Sequence, residues 1–192
     1  MIGGVVLAAG GASRFGSPKQ LAELDGVPLL QHAVDAMLSV PAIDPVVVVL
    51  GAEAPGVRAA VDFGDAQPVE CADWQEGMAA SLRCGVAAVG DCEWVLVTLG
   101  DQPRVTPQVI AAVMDHADSA PAGTAAVRAT YDGVAGHPVA LARAILPEVA
   151  QLRGDVGARE LLGHANVRTF EAAHLCDPGD VDTPQDLEAL RP

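Results

Sequence analysis

The sequence predicts an α/β fold built on a mostly parallel sheet, and two observations carry that prediction. Three apolar, β-branched runs read as strands buried on both faces: "GGVVLAA" (3–9), "PVVVVLG" (45–51) and "EWVLVTLG" (93–100). Segments with helical spacing alternate with them, and strand–helix–strand–helix order implies parallel pairing through crossover helices. Hydrophobic residues make up 51% of the 192 residues, enough for a sizeable core. The apolar content is mainly Ala, Val and Leu with few aromatics, which favours close helix–sheet packing over base-stacking platforms.

The elements follow in order. The first run ends in small residues and passes into a glycine-rich turn. "PLLQHAVDAMLSV" (28–40) places Leu29, Leu30, Ala33, Val34, Met37 and Leu38 on one helical stripe. "GVRAAVDF" (56–63) reads as a shorter helix. "GMAASLRCGVAAV" (77–89) is an alanine-rich helix stopped by Gly90. In "TPQVIAAVMDHA" (106–117), Thr106 is the expected N-cap and Pro107 the first helical residue. Later the pattern loosens. "TAAVRATYDG" (124–133) reads as strand and turn, and "GHPVALARAI" (136–145) as a strand or a helix start. "ARELLGH" (158–164) is expected as helix, "NVRTFEA" (166–172) as strand and "TPQDLEAL" (183–190) as a capped helix. No repeat or low-complexity linker divides the chain, so one domain over 1–192 is expected.

The net charge of −14 argues against a nucleic-acid footprint. It leaves room for a small anion, which needs only a local basic spot. No apolar stretch approaches the roughly 18 residues needed to span a bilayer. The first residues lack the basic leading region of a signal peptide. Cys71, Cys84, Cys92 and Cys176 form no C-x-x-C pair, and no histidines stand at zinc-ligand spacing. They read as reduced thiols of a cytoplasmic protein.

The segment after the first strand, "LAAGGASRFGSPKQL", has the layout of a phosphate site: strand, glycine-rich turn, helix. No acidic residue precedes Glu23. Gly11 to Gly16 has P-loop spacing, but Ser17 stands where that loop needs lysine, and G-x-G-x-x-G is absent from the loop. What remains is L-A-A-G-G-x-S-x-R-x-G-x-x-K, whose Arg14 and Lys19 either fold onto one polyphosphate or are two solvated cations on a tight turn.

"LAAGGASRFGSPKQLAELDGVPLLQHAVD" resembles the signature of nucleotidyltransferases that attach a nucleoside monophosphate from an NTP to a small phosphorylated acceptor. The nearer resemblance is to the molybdenum cofactor cytidylyltransferase group. It rests also on "WQEGMAASLRCG", "LVTLGDQPRVTP", "YDGVAGHPVAL", "LRGDVGARELL" and "DVDTPQDLEAL", in the family's order across nearly the whole chain. Phe15 departs from the pattern, where many members carry methionine. The resemblance implies a three-layer, Rossmann-like fold of the nucleotide-diphospho-sugar-transferase type, with helices on both faces of a mostly parallel sheet.

It also implies a site. Leu7, Ala8, Ala9, Gly10, Gly11, Arg14 and Lys19 would bind the triphosphate, and Gly77, Met78 and Ser81 the nucleoside. Asp101 ends an apolar strand, where open sheets place ligands. It is either a Mg²⁺ ligand or a turn aspartate capping the next helix; the resemblance favours metal, with Asp182 as second ligand. Asp180 or Asp182 is alternatively a local structural residue beside the Thr183 cap. Gln102, Pro103, Gly136, His137, Pro138, Asp155 and Arg159 would contact the acceptor, although His137 and Arg159 each have an ordinary structural alternative. Arg14, Lys19 and Asp101 would be catalytic. The implied reaction is Mg²⁺-dependent transfer of CMP from CTP to the phosphate of molybdopterin cofactor, with a molybdoenzyme as recipient of the product. Three alternatives stand beside it: guanylyl or other NMP transfer to a pterin, sugar or polyol phosphate; an oxidoreductase acting on a heterocycle; and a non-catalytic cofactor carrier.

Overall fold

The computed structural model describes residues 1–11 and 15–191. The chain opens with β1 (Ile2–Ala8), followed by a two-stranded hairpin of β2 (Glu23–Leu24) and β3 (Val27–Pro28). Asp25 and Gly26 form its tip at φ 54° and 80°, the geometry that the Asp-Gly dipeptide favours in a tight hairpin. Then come α1 (Leu29–Leu38), β4 (Ile43–Leu50), α2 (Ala54–Ala60), β5 (Gln67–Glu70), α3 (Met78–Val89), β6 (Trp94–Leu99) and α4 (Pro107–Asp118). The second half holds β7 (Ala126–Tyr131), β8 (Val134–Ala142), α5 (Leu146–Val149), α6 (Arg159–Leu162), β9 (Val167–Glu171) and α7 (Pro184–Ala189).

Seven strands form one sheet in the order β5-β4-β1-β6-β8-β7-β9. β5, β4, β1 and β6 are parallel, β8 runs against both β6 and β7, and β7 and β9 are parallel to each other. Strand alternation sorts the side chains into two layers. Val6, Val48, Leu50 and Leu96 pack with α1, α2 and α4 on one face. Val5, Val47, Val49, Val95 and Val97 pack with α3, α5 and α6 on the other. This is why the strand sequences are continuous apolar runs: both faces are covered. It is the three-layer, mostly parallel arrangement with helices on both faces that the sequence predicted.

Helix spacing does the same work from the other side. In α4, Val109, Ile110, Val113, Met114 and Ala117 are buried, one stripe of a 3.6-residue period. Each large aliphatic side chain so buried contributes about 1.5–3 kcal/mol. Thr106 caps this helix by accepting from the Val109 N–H at 3.4 Å, with Pro107 in the first turn, as expected. α3 begins after Gly77 and ends at Gly90, also as expected. Gly85 lets α3 approach β1 closely, since a Cβ there would lie 2.5 Å from Val5 Cγ1.

The late elements resolve the ambiguous stretch. "GHPVALA" is strand throughout, and the chain turns into a short 3₁₀ turn only at Arg143–Ile145. A third apolar cluster joins distant parts of the chain: Leu24 and Leu29 with Val181 and Leu187, backed by Phe15 and Leu190. Through it, α7 docks on the hairpin beside the glycine-rich loop. The chain leaves β1 toward one edge of the sheet and later enters β6 on the other side of β1. The carboxyl ends of β1 and β6 therefore flank a topological switch point, where open α/β sheets form crevices.

Candidate active site

Two loops meet at that switch point. After β1 the backbone is held by Gln20, which is buried and donates from Nε2 to the carbonyls of Ala8 and Gly10, both at 2.9 Å. Trp74 lies against the same loop, and a Cβ on Gly11 would sit 3.2 Å from its ring. Arg14 lies outside the described residues. Lys19 opens a 3₁₀ turn (Lys19–Leu21) and points to the other loop. Its Nζ donates to Asp101 Oδ2 at 2.7 Å and to Asp182 Oδ1 at 3.1 Å. Burial opposes the ammonium charge, but the Asp101 and Asp182 carboxylates outweigh it and hold the pKa above the ordinary lysine value.

Asp101 follows β6 after Gly100, and its carbonyl accepts from the Val181 N–H at 2.9 Å. Gln102 Nε2 donates to Pro178 O at 2.9 Å and to Asp180 Oδ1 at 2.6 Å. These bonds pin the 178–182 segment on the loop after β6 and bring Asp182 to Lys19. Thr183 and Asp186 close a capping box at the start of α7. Asp186 is therefore the local capping carboxylate, and Asp182 donates only its backbone N–H to it, at 3.1 Å. Asp101 Oδ1 is buried with no hydrogen-bond partner among the described residues. Burial, then the neighbouring Asp101 charge, pushes the Asp180 carboxyl above its usual range, with Gln102 opposing.

A cavity of about 1060 Å³ opens beside these groups. Of the residues expected to bind nucleotide or acceptor, Leu7, Met78 and Gln102 line it, as do Gly136, His137, Asp155 and Arg159. Pro103 and Pro138 are buried and are not among its lining residues; neither is Ser81, buried in the first turn of α3. The nucleoside and acceptor segments touch each other. Met78 N–H donates to Asp155 Oδ1 at 3.3 Å, and Ala79 N–H to Gly154 O at 3.2 Å.

The "GHP" tripeptide lies in a bulge. Between the pairs Arg128↔Val139 and Thr130↔Ala135, β8 spends two more residues than β7. Bulges re-aim side chains beside functional sites. Here the bulge turns His137 into the cavity wall, while the Tyr131 hydroxyl donates to the His137 carbonyl at 2.7 Å. Burial, and then the Arg128 charge, lower the His137 pKa to about 4, so its ring is neutral near pH 7.

Three lining or supporting residues escaped the sequence reading. Gln20 left no signal beyond its place beside Lys19. Asp180 was named with Asp182 but given no role beyond a local structural one. Arg128 did leave one: it is a lone charge inside the apolar strand "AAVRATY", at the alternation position that faces α3.

Residues 4–169 match the family of the MobA-like NTP transferase domain. Nicotine blue oxidoreductase of Paenarthrobacter nicotinovorans is 34% identical over 97% of this chain and 95% of its own length. A 2-C-methyl-D-erythritol 4-phosphate cytidylyltransferase of Ralstonia nicotianae is 37% identical over 56% of this chain and 46% of its own. The crystal structure of Rv0371c from Mycobacterium tuberculosis superposes with a TM-score of 0.86 at 34% identity, covering 98% of this chain and 96% of that one. A second structure of Rv0371c is a complex with manganese, with a TM-score of 0.77 over 98% of this chain and 97% of that one. Fold, loop order and sequence agree over nearly the whole length, and the chain belongs to the MobA-like NTP transferase family.

Proposed function

We propose that this nucleotidyltransferase moves CMP from CTP to the phosphate of molybdopterin cofactor and releases pyrophosphate. The observation that carries the reading is the meeting of Lys19, Asp101 and Asp182 at the switch point, beside the cavity. The cytidylyltransferase relative supports CTP, and the manganese complex of Rv0371c supports a divalent ion.

The residues present fit Mg²⁺. Asp101 keeps a buried oxygen without a partner, and Asp182 offers a second hard carboxylate at the same ammonium. Two protein carboxylates leave the remaining coordination to phosphate and water, which is how Mg²⁺ is usually held. When bound, the ion supplies charge neutralisation at the α-phosphate.

The chain's own residues account for the rest. Lys19 gives up its two carboxylates and takes the triphosphate on its flexible stem. The loop N–H groups after β1, with Arg14, stabilise the developing pyrophosphate. Gln102 holds the 178–182 segment so that Asp182 stays opposite Asp101. The bulged wall around His137 and Asp155 orients the acceptor. An oxygen of the acceptor phosphate attacks the α-phosphorus, the α–β bridging P–O bond breaks, and its electron pair leaves with pyrophosphate. A phosphate monoester is already ionised at neutral pH, so no side chain has to deprotonate it. The implied setting is the cytoplasm, with a molybdoenzyme as recipient.

The test is pyrophosphate release with Mg²⁺ and molybdopterin cofactor, comparing CTP, GTP, ATP and UTP. Release with CTP alone is expected. Release with another NTP overturns the base, and silence with all four from folded protein overturns the transfer to this acceptor. One observation favours a second reading: a relative that matches nearly end to end bears the name of an oxidoreductase. Calorimetric titration with NADH and NADPH separates the two, since heat of binding is expected from CTP·Mg²⁺ and from neither dinucleotide.

A further inference from the structure

The chain carries 11 Lys and Arg against 25 Asp and Glu, and ten of the 11 are described. Eight of the ten are engaged. Lys19, Arg58, Arg83, Arg143 and Arg191 pair with carboxylates. Arg104, Arg153 and Arg168 donate to backbone carbonyls. The side chains of the other two, Arg128 and Arg159, have no hydrogen bond or ion pair among the described residues, and both line the same cavity.

Arg128 stands in the body of the sheet, opposite Val139 on β8 and Thr169 on β9. Its Nε is buried with nothing to donate to. Burial, and then the charge of Arg159, press its pKa below the ordinary arginine value. An unpaired buried donor beside a like charge is unfavourable in the empty fold, and an anion between the two guanidinium groups relieves both penalties. The cavity's carboxylates do not serve them. Asp155 accepts from Met78 N–H, Asp177 from Gly179 N–H and Asp180 from Gln102. Asp132 is exposed in the turn between β7 and β8.

We infer that Arg128 and Arg159 form a seat for an oxyanion, the phosphomonoester group of the acceptor. Leu82, Val97, Val139 and Leu162 offer the apolar wall for the body that carries it. Guanidinium forks match phosphate oxygens two at a time, which lysine does not do. That the ligand is an acceptor rests on the transferase reading; that the pair binds an oxyanion does not.

The experiment titrates inorganic phosphate and phenyl phosphate into nucleotide-free protein, reading guanidinium Nε–Hε resonances and calorimetric affinity. Wild type is expected to shift the Arg128 and Arg159 signals and to bind phenyl phosphate more tightly than phosphate. Arg128→Gln and Arg159→Gln are expected to weaken both ligands at least tenfold, with Arg128→Lys between them and wild type. CTP·Mg²⁺ affinity is expected to fall in Lys19→Met and to stay within about twofold in the arginine variants. Unchanged phosphate affinity in Arg128→Gln, or an Arg128 signal that phosphate does not move, overturns the seat. Equal affinity for the two ligands overturns the acceptor assignment in favour of a free-anion site. Should Arg128→Gln fail to fold, Arg159→Gln on the exposed short helix gives the same reading. Phosphate bound through Arg128 in a protein that ignores CTP would uphold the seat and overturn the transferase reading.

Discussion

Lys19 Nζ lies 2.7 Å from Asp101 Oδ2, across 82 residues of sequence, and 3.1 Å from Asp182 Oδ1, across 163. One ammonium group thus serves as counter-ion to two carboxylates that stand 81 residues apart in the chain, one midway and one near residue 192. The same three groups would divide the work on a metal-bound nucleotide, the carboxylates holding the ion and the ammonium the phosphates.

Lys19→Met and Asp101→Asn are each expected to lower transfer by about 100-fold or more, the scale of losing one charge-stabilising group in an active site. Both leave the apolar clusters intact. Pyrophosphate release and thermal melts on the same samples check this, and near-wild-type turnover in both variants sinks the role.

Lys19→Met also removes the ammonium that competes with a cation. Mn²⁺ affinity in the absence of nucleotide is expected to rise severalfold in this variant and to fall in Asp101→Asn. Paramagnetic titration of free Mn²⁺ reads both. A Lys19→Met protein that binds the ion no better than wild type would remove the idea of a shared position.

Gln102→Leu takes the donor from Asp180 and from the Pro178 carbonyl. Both bonds are only partly buried, and a typical intramolecular hydrogen bond contributes about 0.5–1.5 kcal/mol, so a modest drop in the urea midpoint is expected. Transfer should fall as well, because the 178–182 segment that carries Asp182 loses its tie. An unchanged midpoint would show that the Val181–Asp101 bond holds the segment by itself.

His137 sets a pH dependence. Its folded pKa of about 4 lies below the unfolded value near 6.5, so the unfolded chain takes up a proton more readily. The stabilising contribution of the neutral ring is complete above the unfolded value, declines as pH falls from about 6.5 to about 4, and is flat below. Denaturant titrations at several pH values should show this slope, and His137→Asn should flatten it. A slope unchanged in His137→Asn would place the proton uptake elsewhere.

Gly77→Ala is expected to destabilise by more than about 1 kcal/mol, since φ there is +107° and a Cβ would lie 2.7 Å from the Asp155 backbone. It should also weaken CTP binding, read by Trp74 fluorescence, by separating Met78 from Asp155. A variant as stable as wild type would mean that the 154–155 turn yields freely.

The parallel core was legible because β1, β4 and β6 are covered on both faces, which keeps their central runs almost wholly apolar, with Thr98 the buried polar residue among them. α4 and α7 were legible from Thr106-Pro107 and Thr183-Pro184, where the capping chemistry is local. β5 was not: "QPVE" is four residues of mixed polarity at a sheet edge. β8 stayed ambiguous because its bulge around Gly136, His137 and Pro138 interrupts the period of two. Within the site, Lys19 stood out as one of two cations on the glycine-rich turn and Asp101 as a charge at the end of an apolar run, whereas Asp182 was singled out only through the family resemblance. The role of Gln20 depends on two carbonyls ten and more residues away, which no spacing encodes. Arg128 was visible as an anomaly in its strand, but its meaning needed Arg159 in space.

The bond from Val181 to the Asp101 carbonyl, and the docking of α7 on the hairpin beside Phe15, also order events during synthesis. A chain emerging from the ribosome delivers Lys19 early and Asp101 midway, and the sheet as far as β6 has all its strands by then. The second carboxylate arrives 163 positions after Lys19. Until that last stretch settles, the growing polypeptide has the nucleotide loop but not the finished charge pair. On the transferase reading, a half-made molecule is expected to be chemically silent, and proteolytic loss of the final segment to abolish transfer while also stripping Val181 and Leu187 from their cluster.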